Sequence, residues 1–144
     1  MAVRAYEVSR RIDAPAAAVW ALLTDAGSYA GWNPAVVRID GTIEQGGTIR
    51  LVSTASPKRT FKLRVDEVRA PYHLVWSDGM PLGLFTGRRT FTLRDRGDGG
   101  TDFAMVERFG GPLAGLITRA IPDLTESFNA FADGLKQAAE AAAR

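Results

Sequence analysis

Gly87-Arg88-Arg89-Thr90-Phe91-Thr92-Leu93 is followed, after a polar turn, by Thr101-Asp102-Phe103-Ala104-Met105-Val106-Glu107-Arg108-Phe109 and then Gly110-Gly111-Pro112. Successive strand residues face opposite sides of a sheet. Phe85, Gly87, Arg89, Phe91 and Leu93 therefore share a side, opposite Arg88, Thr90, Thr92 and Arg94. In the second segment Thr101, Phe103, Met105, Glu107 and Phe109 share a side. Two such segments joined through Asp95 to Gly100 read as an antiparallel hairpin with one apolar and one wet face. Beyond Pro112, Leu113, Leu116, Ile117, Ala120, Leu124, Phe128, Phe131 and Leu135 recur at helical spacing, so a long helix closes the chain. Pro122 lacks a backbone donor and clashes with the carbonyl of Thr118, which predicts a kink or break there.

Upstream, the chain is β-branched and aromatic from Val36 onward, with turns at Glu44 to Gly47, Ala55 to Pro57, Ala70-Pro71 and Gly79 to Gly83. This predicts six strands in series, and connections so short favour an antiparallel meander over parallel crossovers. Phe61, Leu63 and Val65 face one way on their strand, and Lys62, Arg64 and Asp66 the other. Val3 to Ile12 reads as a first strand added from outside the series. Asp13-Ala14-Pro15 then supplies a capping residue and a first-turn proline for a helix carrying Val19, Leu22 and Leu23 on its apolar face, with Gly27 able to end it. A second short helix or turn around Ser28 to Gly31 stops at Trp32-Asn33-Pro34, because proline disfavours helical dihedrals in the residue before it. The fold class is α+β, about seven antiparallel strands with a long C-terminal helix, as one domain over residues 1–144.

Composition narrows the chemistry. The 144 residues are 46% hydrophobic and 24% charged, the balance of a globular chain. There are no cysteines and one histidine, so thiolate chemistry and cysteine-bound zinc are excluded, and no metal or other cofactor is expected. Net charge is +2, from 18 basic and 16 acidic residues mixed along the chain. That mixture gives little support for nucleic acid as a partner. The charged, alternating start lacks a signal-peptide core and no segment is apolar enough to span a bilayer, so a cytoplasmic protein without stable membrane insertion is expected. Nothing in the sequence sets an oligomeric state.

The order strand, two short helices, six strands, long helix resembles the START-like helix-grip superfamily, often called SRPBCC and including polyketide cyclases. The residues that carry the resemblance are Ile12-Asp13-Ala14-Pro15 with Val19-Trp20, then Trp32-Asn33-Pro34, and Asp66-Glu67-Val68 leading to Leu74-Val75-Trp76. Gly87 to Leu93, Gly100-Thr101 to Phe109-Gly110, and the closing helix with Phe128 complete the set. It spans almost the whole chain. The resemblance implies a curved sheet wrapped around the final helix, with a pocket between them for an apolar or amphipathic small molecule. Independently, a strongly bent sheet around one helix is not always filled by its own side chains, and apolar concave sites with a few polar groups are the usual form of a small-molecule site.

Arg89 and Glu107 are the most informative pair, because parity places both among Phe91, Leu93, Phe103, Met105 and Phe109. If Phe91 pairs with Met105, Arg89 lies opposite Glu107. Burying either charge alone costs several kcal/mol, so mutual pairing is expected. The pair either only shapes a pocket or also orients a ligand's polar end, as candidate catalytic groups: Arg89 toward a carboxylate, enolate or carbonyl oxygen, Glu107 as a base once its partner is displaced. Trp32, Trp76, Met80, Phe85, Phe91, Met105, Phe109, Leu116, Ile117, Ala120 and Phe128 are candidate ligand-lining residues, each also readable as plain core. Gly79 to Leu84 is either a cover for the pocket mouth or a packed turn. His73 shares parity with Val75 and Ser77 and is expected to face solvent, and no serine can be matched to a histidine and an acid as a triad. Arg119 and Asp123 have the i, i+4 spacing of a surface pair. Lys58, Lys62, Arg64, Arg88, Arg94 and Arg96 share the outer parity as a solvated basic strip.

Three functions remain open from the sequence: a binding protein for a lipid, isoprenoid or polyketide-like molecule; a polyketide cyclase or aromatase-type enzyme; and a co-chaperone-like interaction domain, which needs an exposed apolar patch.

Overall fold

The computed structural model describes residues 5–144. Val3 and Arg4 of the expected first strand lie outside the described residues. Seven strands, β1 Ala5–Ile12, β2 Val36–Gly41, β3 Thr48–Ser53, β4 Ser56–Arg69, β5 His73–Gly79, β6 Thr86–Asp95 and β7 Thr101–Gly110, form one antiparallel sheet in the order β1-β7-β6-β5-β4-β3-β2. The six later strands pair in series and β1 joins at the β7 edge. The helices are α1 Ala16–Leu23, α2 Tyr29–Trp32, α3 Ala114–Ala120 and α4 Thr125–Ala142. The sheet curls into a half-barrel around α4, a helix-grip α+β fold. Among the described residues no helix is long and apolar enough to cross a membrane.

Local chemistry accounts for the boundaries. The break at Pro122 separates α3 from α4, and Asp123 Oδ1 accepts hydrogen bonds from Thr125 N at 2.9 Å and Thr125 Oγ1 at 2.7 Å where α4 begins. Because α3 ends at Ala120, Arg119 and Asp123 belong to separate segments, and the i, i+4 geometry expected for them does not apply. Asp13 does not cap α1. Pro15 is the N-cap, while Asp13 Oδ1 accepts from Arg96 at 3.1 Å and its backbone N–H donates to Glu140 Oε2 at 2.9 Å.

On α4, Phe128, Phe131, Ala132, Leu135 and Ala139 are buried. Glu126, Asn129, Asp133 and Gln137 are exposed, the spacing of one apolar stripe. That stripe packs mainly on β1 and α1. The core beneath it holds Ile12, Val19, Leu23, Tyr29, Leu74, Trp76, Phe91 and Met105.

A bulge at Asp66 switches the face of the strand residues after it. Val65 pairs with Trp76 and Glu67 with Val75, so Glu67 turns to the convex face. There its Oε2 lies 2.8 Å from His73 Nε2 and 3.6 Å from Arg88 Nη2. His73 is therefore convex but half-buried and paired rather than free in solvent. Hydrogen bonding to His73 is the main cause that holds the Glu67 carboxyl below its ordinary pKa. Arg96 also leaves the basic strip: its side chain is only 12% exposed and is held by Asp13 and Asp98.

Gly134 is the close contact between α4 and the end of α2. A Cβ at this position would lie 2.6 Å from the Trp32 carbonyl oxygen and 2.7 Å from Pro34 Cδ. Replacing glycine by alanine inside a helix ordinarily stabilises by about 1 kcal/mol. Here Gly134→Ala is expected to cost about 1–3 kcal/mol through overpacking, read as a lower urea midpoint. An unchanged or higher midpoint would show that the two helices are not held this closely.

Candidate functional site

Two neighbouring rungs of the sheet supply the site. Across β5, β6 and β7, Trp76 pairs with Arg89 and Arg89 with Glu107. The next inward-facing rung, two residues along, is Asp78, Gly87 and Phe109. All face the inside of the curl. Arg89 Nε donates to Glu107 Oε1 at 2.6 Å, and the two side chains are only 17% and 15% exposed. The Arg89 guanidinium carbon also lies 4.7 Å from the ring centre of Phe128 and 6.0 Å from that of Phe131, both on α4. The cation is thus held by a carboxylate on one side and aromatic faces on the other. Its Nη groups have no hydrogen-bond partner among the described residues.

Asp78 is a polar group of the site that the sequence pattern does not single out, although it shares parity with Leu74 and Trp76. A Cβ on residue 87 would lie 2.5 Å from Asp78 Oδ1, so glycine there leaves the space the carboxylate occupies. Burial, followed by the nearby charge of Glu107, pushes the Asp78 pKa from 3.8 up to about 6, against the opposing pull of Arg89 and Arg59. Its side chain makes no hydrogen bond or ion pair with another of the described residues. Tyr29, by contrast, is not a free proton donor: its hydroxyl donates to the Leu23 carbonyl at 2.6 Å, and burial raises its pKa well above the ordinary value.

These rungs form one wall of a cavity of about 600 Å³. Val36, Leu51, Phe61 and Leu63 line it from β2 to β4, Phe85, Met105 and Phe109 from the hairpin side, and Ile117, Ile121, Leu124, Ser127, Phe128 and Phe131 from the helical segment. Arg59 and Lys62 stand at the exposed end. Of the residues singled out from sequence, Trp76, Met80, Phe85, Arg89, Met105, Glu107, Phe109, Ile117 and Phe128 lie on the cavity surface.

Trp32, Phe91, Leu116 and Ala120 do not. Phe91 is sealed off between Trp76 and Phe131, at ring-centre distances of 4.7 and 5.8 Å. Trp32 packs on Tyr29 and Phe131 and donates to Ser28 Oγ at 3.0 Å. Leu116 is 66% exposed, and Ala120 is exposed as well. With α3 a separate helix, its inward face is Ala114, Ile117 and Thr118 instead. The Gly79 to Leu84 segment is exposed throughout and is tied down by backbone hydrogen bonds: Met80 N–H donates to the Phe85 carbonyl and Leu113 N–H to the Leu84 carbonyl, each at 2.9 Å. Met80 reaches the cavity, while Leu82 is 98% exposed.

The sequence profile of the family described as polyketide cyclase/dehydrase and lipid transport matches residues 4–140. Among solved structures, the Zhui aromatase/cyclase from Streptomyces sp. R1128 superposes with a TM-score of 0.78 at 18% identity, covering 99% of this chain and 97% of that one. The di-domain aromatase/cyclase BexL of the BE-7585A biosynthetic pathway gives 0.69 at 17% identity, over 96% of this chain and 50% of that one. Norcoclaurine synthase from Thalictrum flavum gives 0.69 at 13% identity, covering 94% and 92%. At these identities the structures share the fold. No curated protein sequence matches the chain.

Because the Asp78 pKa is raised in the folded protein, the folded state holds this proton more tightly than the unfolded chain. Its stabilising contribution is full below pH 3.8 and is lost as pH rises through about 6. Asp78→Asn is therefore expected to raise unfolding free energy at pH 8 by about 1–2 kcal/mol, after discounting for partial exposure, with almost no gain below pH 4. Denaturant titrations at the two pH values measure it, and an equal effect at both would contradict the assignment.

Proposed function

This chain belongs to the polyketide cyclase/dehydrase and lipid transport family, and we propose that it binds a hydrophobic or amphipathic small molecule in the cavity between sheet and helix. The observation that carries this reading is the cavity itself: about 600 Å³, largely apolar, with its inner charges gathered at Asp78, Arg89 and Glu107. A ligand's apolar body would lie against Leu51, Phe61, Leu63, Phe85 and Phe109. Its polar end would meet the charged wall. A volume of this size is within the usual range for small-molecule sites. Met80 and Ile117 line the cavity, and Leu82, Leu84 and Leu116 flank them in the same two segments. Their exposure fits a rim for an entering ligand as well as it fits a co-chaperone surface.

A cyclase-type reaction is the second reading, supported by a carboxyl whose pKa burial pushes up to about 6, beside a guanidinium with open Nη donors. In that chemistry Asp78 takes a proton from a carbon between two carbonyls, and the electron pair moves onto a carbonyl oxygen at Arg89. The enolate carbon then bonds to a second carbonyl carbon of the same molecule, whose oxygen takes the proton back. No oxidant or reductant is required.

Native mass spectrometry tests the binding reading. Purified protein is expected to carry a small molecule that denaturation releases, or, once emptied, to take up one equivalent of a neutral aromatic or fatty compound. A folded protein that binds none of a panel of such compounds would overturn it.

A further inference from the structure

The inner wall carries three ionisable groups, and two of them already satisfy each other. Arg89 is bound to Glu107 at 2.6 Å and stacked on Phe128 at 4.7 Å. A ligand carboxylate brought to the open Nη groups of Arg89 would therefore share one cation with Glu107 and also face Asp78. With the guanidinium already neutralised by Glu107, a second carboxylate there would leave uncompensated negative charge on a desolvated wall. Asp78 differs. It lies on the next inward-facing rung over Gly87, lines the same cavity, and has no side-chain partner among the described residues. The charges of Arg89 and Glu107 cancel, so an ionised Asp78 leaves the wall with a single negative charge.

From this geometry we infer that Asp78, not Arg89, holds the ligand's polar end, and that this end is a hydrogen-bond donor: a hydroxyl, an enol or a protonated amine. The inference rests on the cavity-binding reading and adds which charge the cavity selects. An acceptor-only carboxylate is the class it rejects. The charged groups acting on Asp78 are Glu107 from β7, Arg89 from β6 and Arg59 from β4. Lys62 lies further out on the cavity lining, and α4 contributes Ser127 and apolar side chains there but no charge. Arg59 and Lys62 are exposed, where water and salt screen them, so they bias approach more than they set the preference at the inner wall.

The same arrangement fits proton transfer. When a donor ligand gives its proton to Asp78, the combined charge of wall and ligand is unchanged, so the buried site need not accept a new net charge. With an enol, the O–H bond breaks, the carboxyl O–H forms, and the resulting enolate oxygen has the Arg89 Nη groups nearby.

Three probes with one apolar body separate the possibilities: 2-naphthylmethylamine, 2-naphthylmethanol and 2-naphthoate, titrated calorimetrically into the protein at pH 5 and pH 8. At pH 8 the amine and the alcohol are expected to bind at least about tenfold more tightly than the acid, the size of one charge-assisted hydrogen bond. Amine binding is expected to weaken at pH 5, where Asp78 takes up its own proton, and Asp78→Asn is expected to remove both the amine preference and its pH dependence. Tightest binding by naphthoate, or an unchanged ranking in Asp78→Asn, would overturn the assignment of Asp78 while leaving the cavity reading intact. Binding of none of the three by folded protein would overturn both. Asp78→Glu, which keeps the charge, is expected to retain the ranking and so separates loss of the anchor from damage to the fold.

Discussion

The Arg89 guanidinium lies inside the curl of the sheet, where an unpaired cation is expensive, and Glu107 on the neighbouring strand meets it at 2.6 Å. That contact and the register of the β6–β7 hairpin imply each other. Slipping one strand of the hairpin by one residue would move that strand's apolar side chains to the convex face and carry its charge outward. Phe128 of α4 rests against the same guanidinium, so the pair also links the helix to the sheet. With Arg89 and Glu107 paired, the neighbouring carboxyl of Asp78 is left without a side-chain partner among the described residues.

The space exists because α4 does not cover the whole concave face. Its apolar stripe packs on β1 and α1, at one end of the sheet order, and α2 packs on β2 at the other end, while among the described residues β3 to β5 have no comparable helix over them. The break at Pro122 allows α3 to diverge from the α4 axis, so that Ile117, Ile121 and Leu124 close one side of the cavity instead of filling it. Close contact at Gly134 holds α4 against the end of α2, which keeps the helix on its side of the curl. An apolar body in the open half and a polar end at the β5–β7 wall is the ligand shape that this division accommodates.

Much of this is legible in the sequence because strand parity is a strong constraint. Alternation alone puts Arg89 and Glu107 on the apolar side, and the expected pairing of Phe91 with Met105 is the register found. Parity fails where the backbone breaks the alternation. The bulge at Asp66 turns Glu67 to the convex side, where it captures His73 and Arg88. Continuing the helical stripe through Pro122 puts Leu116 and Ala120 on the pocket side, whereas a separate α3 presents a different face. Asp78 is within reach of the same parity rule, since it lies two residues beyond Trp76. Its importance depends on Gly87 making room for it and on the pairing of its neighbours, which are tertiary facts. Phe91 is on the inner face as expected, but Trp76 and Phe131 cover it, and no one-dimensional pattern reports that.

If the space between sheet and helix is the ligand site, filling that space must weaken binding. Ser127 lines the cavity from α4. Ser127→Trp places a bulky ring into the space with no change in charge. Titration with Nile red, a neutral apolar fluorophore, is expected to give saturable binding near one equivalent in the native protein. The variant is expected to show roughly tenfold or greater weakening, with its thermal unfolding midpoint preserved. Equal binding by the two proteins would place the dye on the exposed leucines outside and contradict the assignment of the cavity.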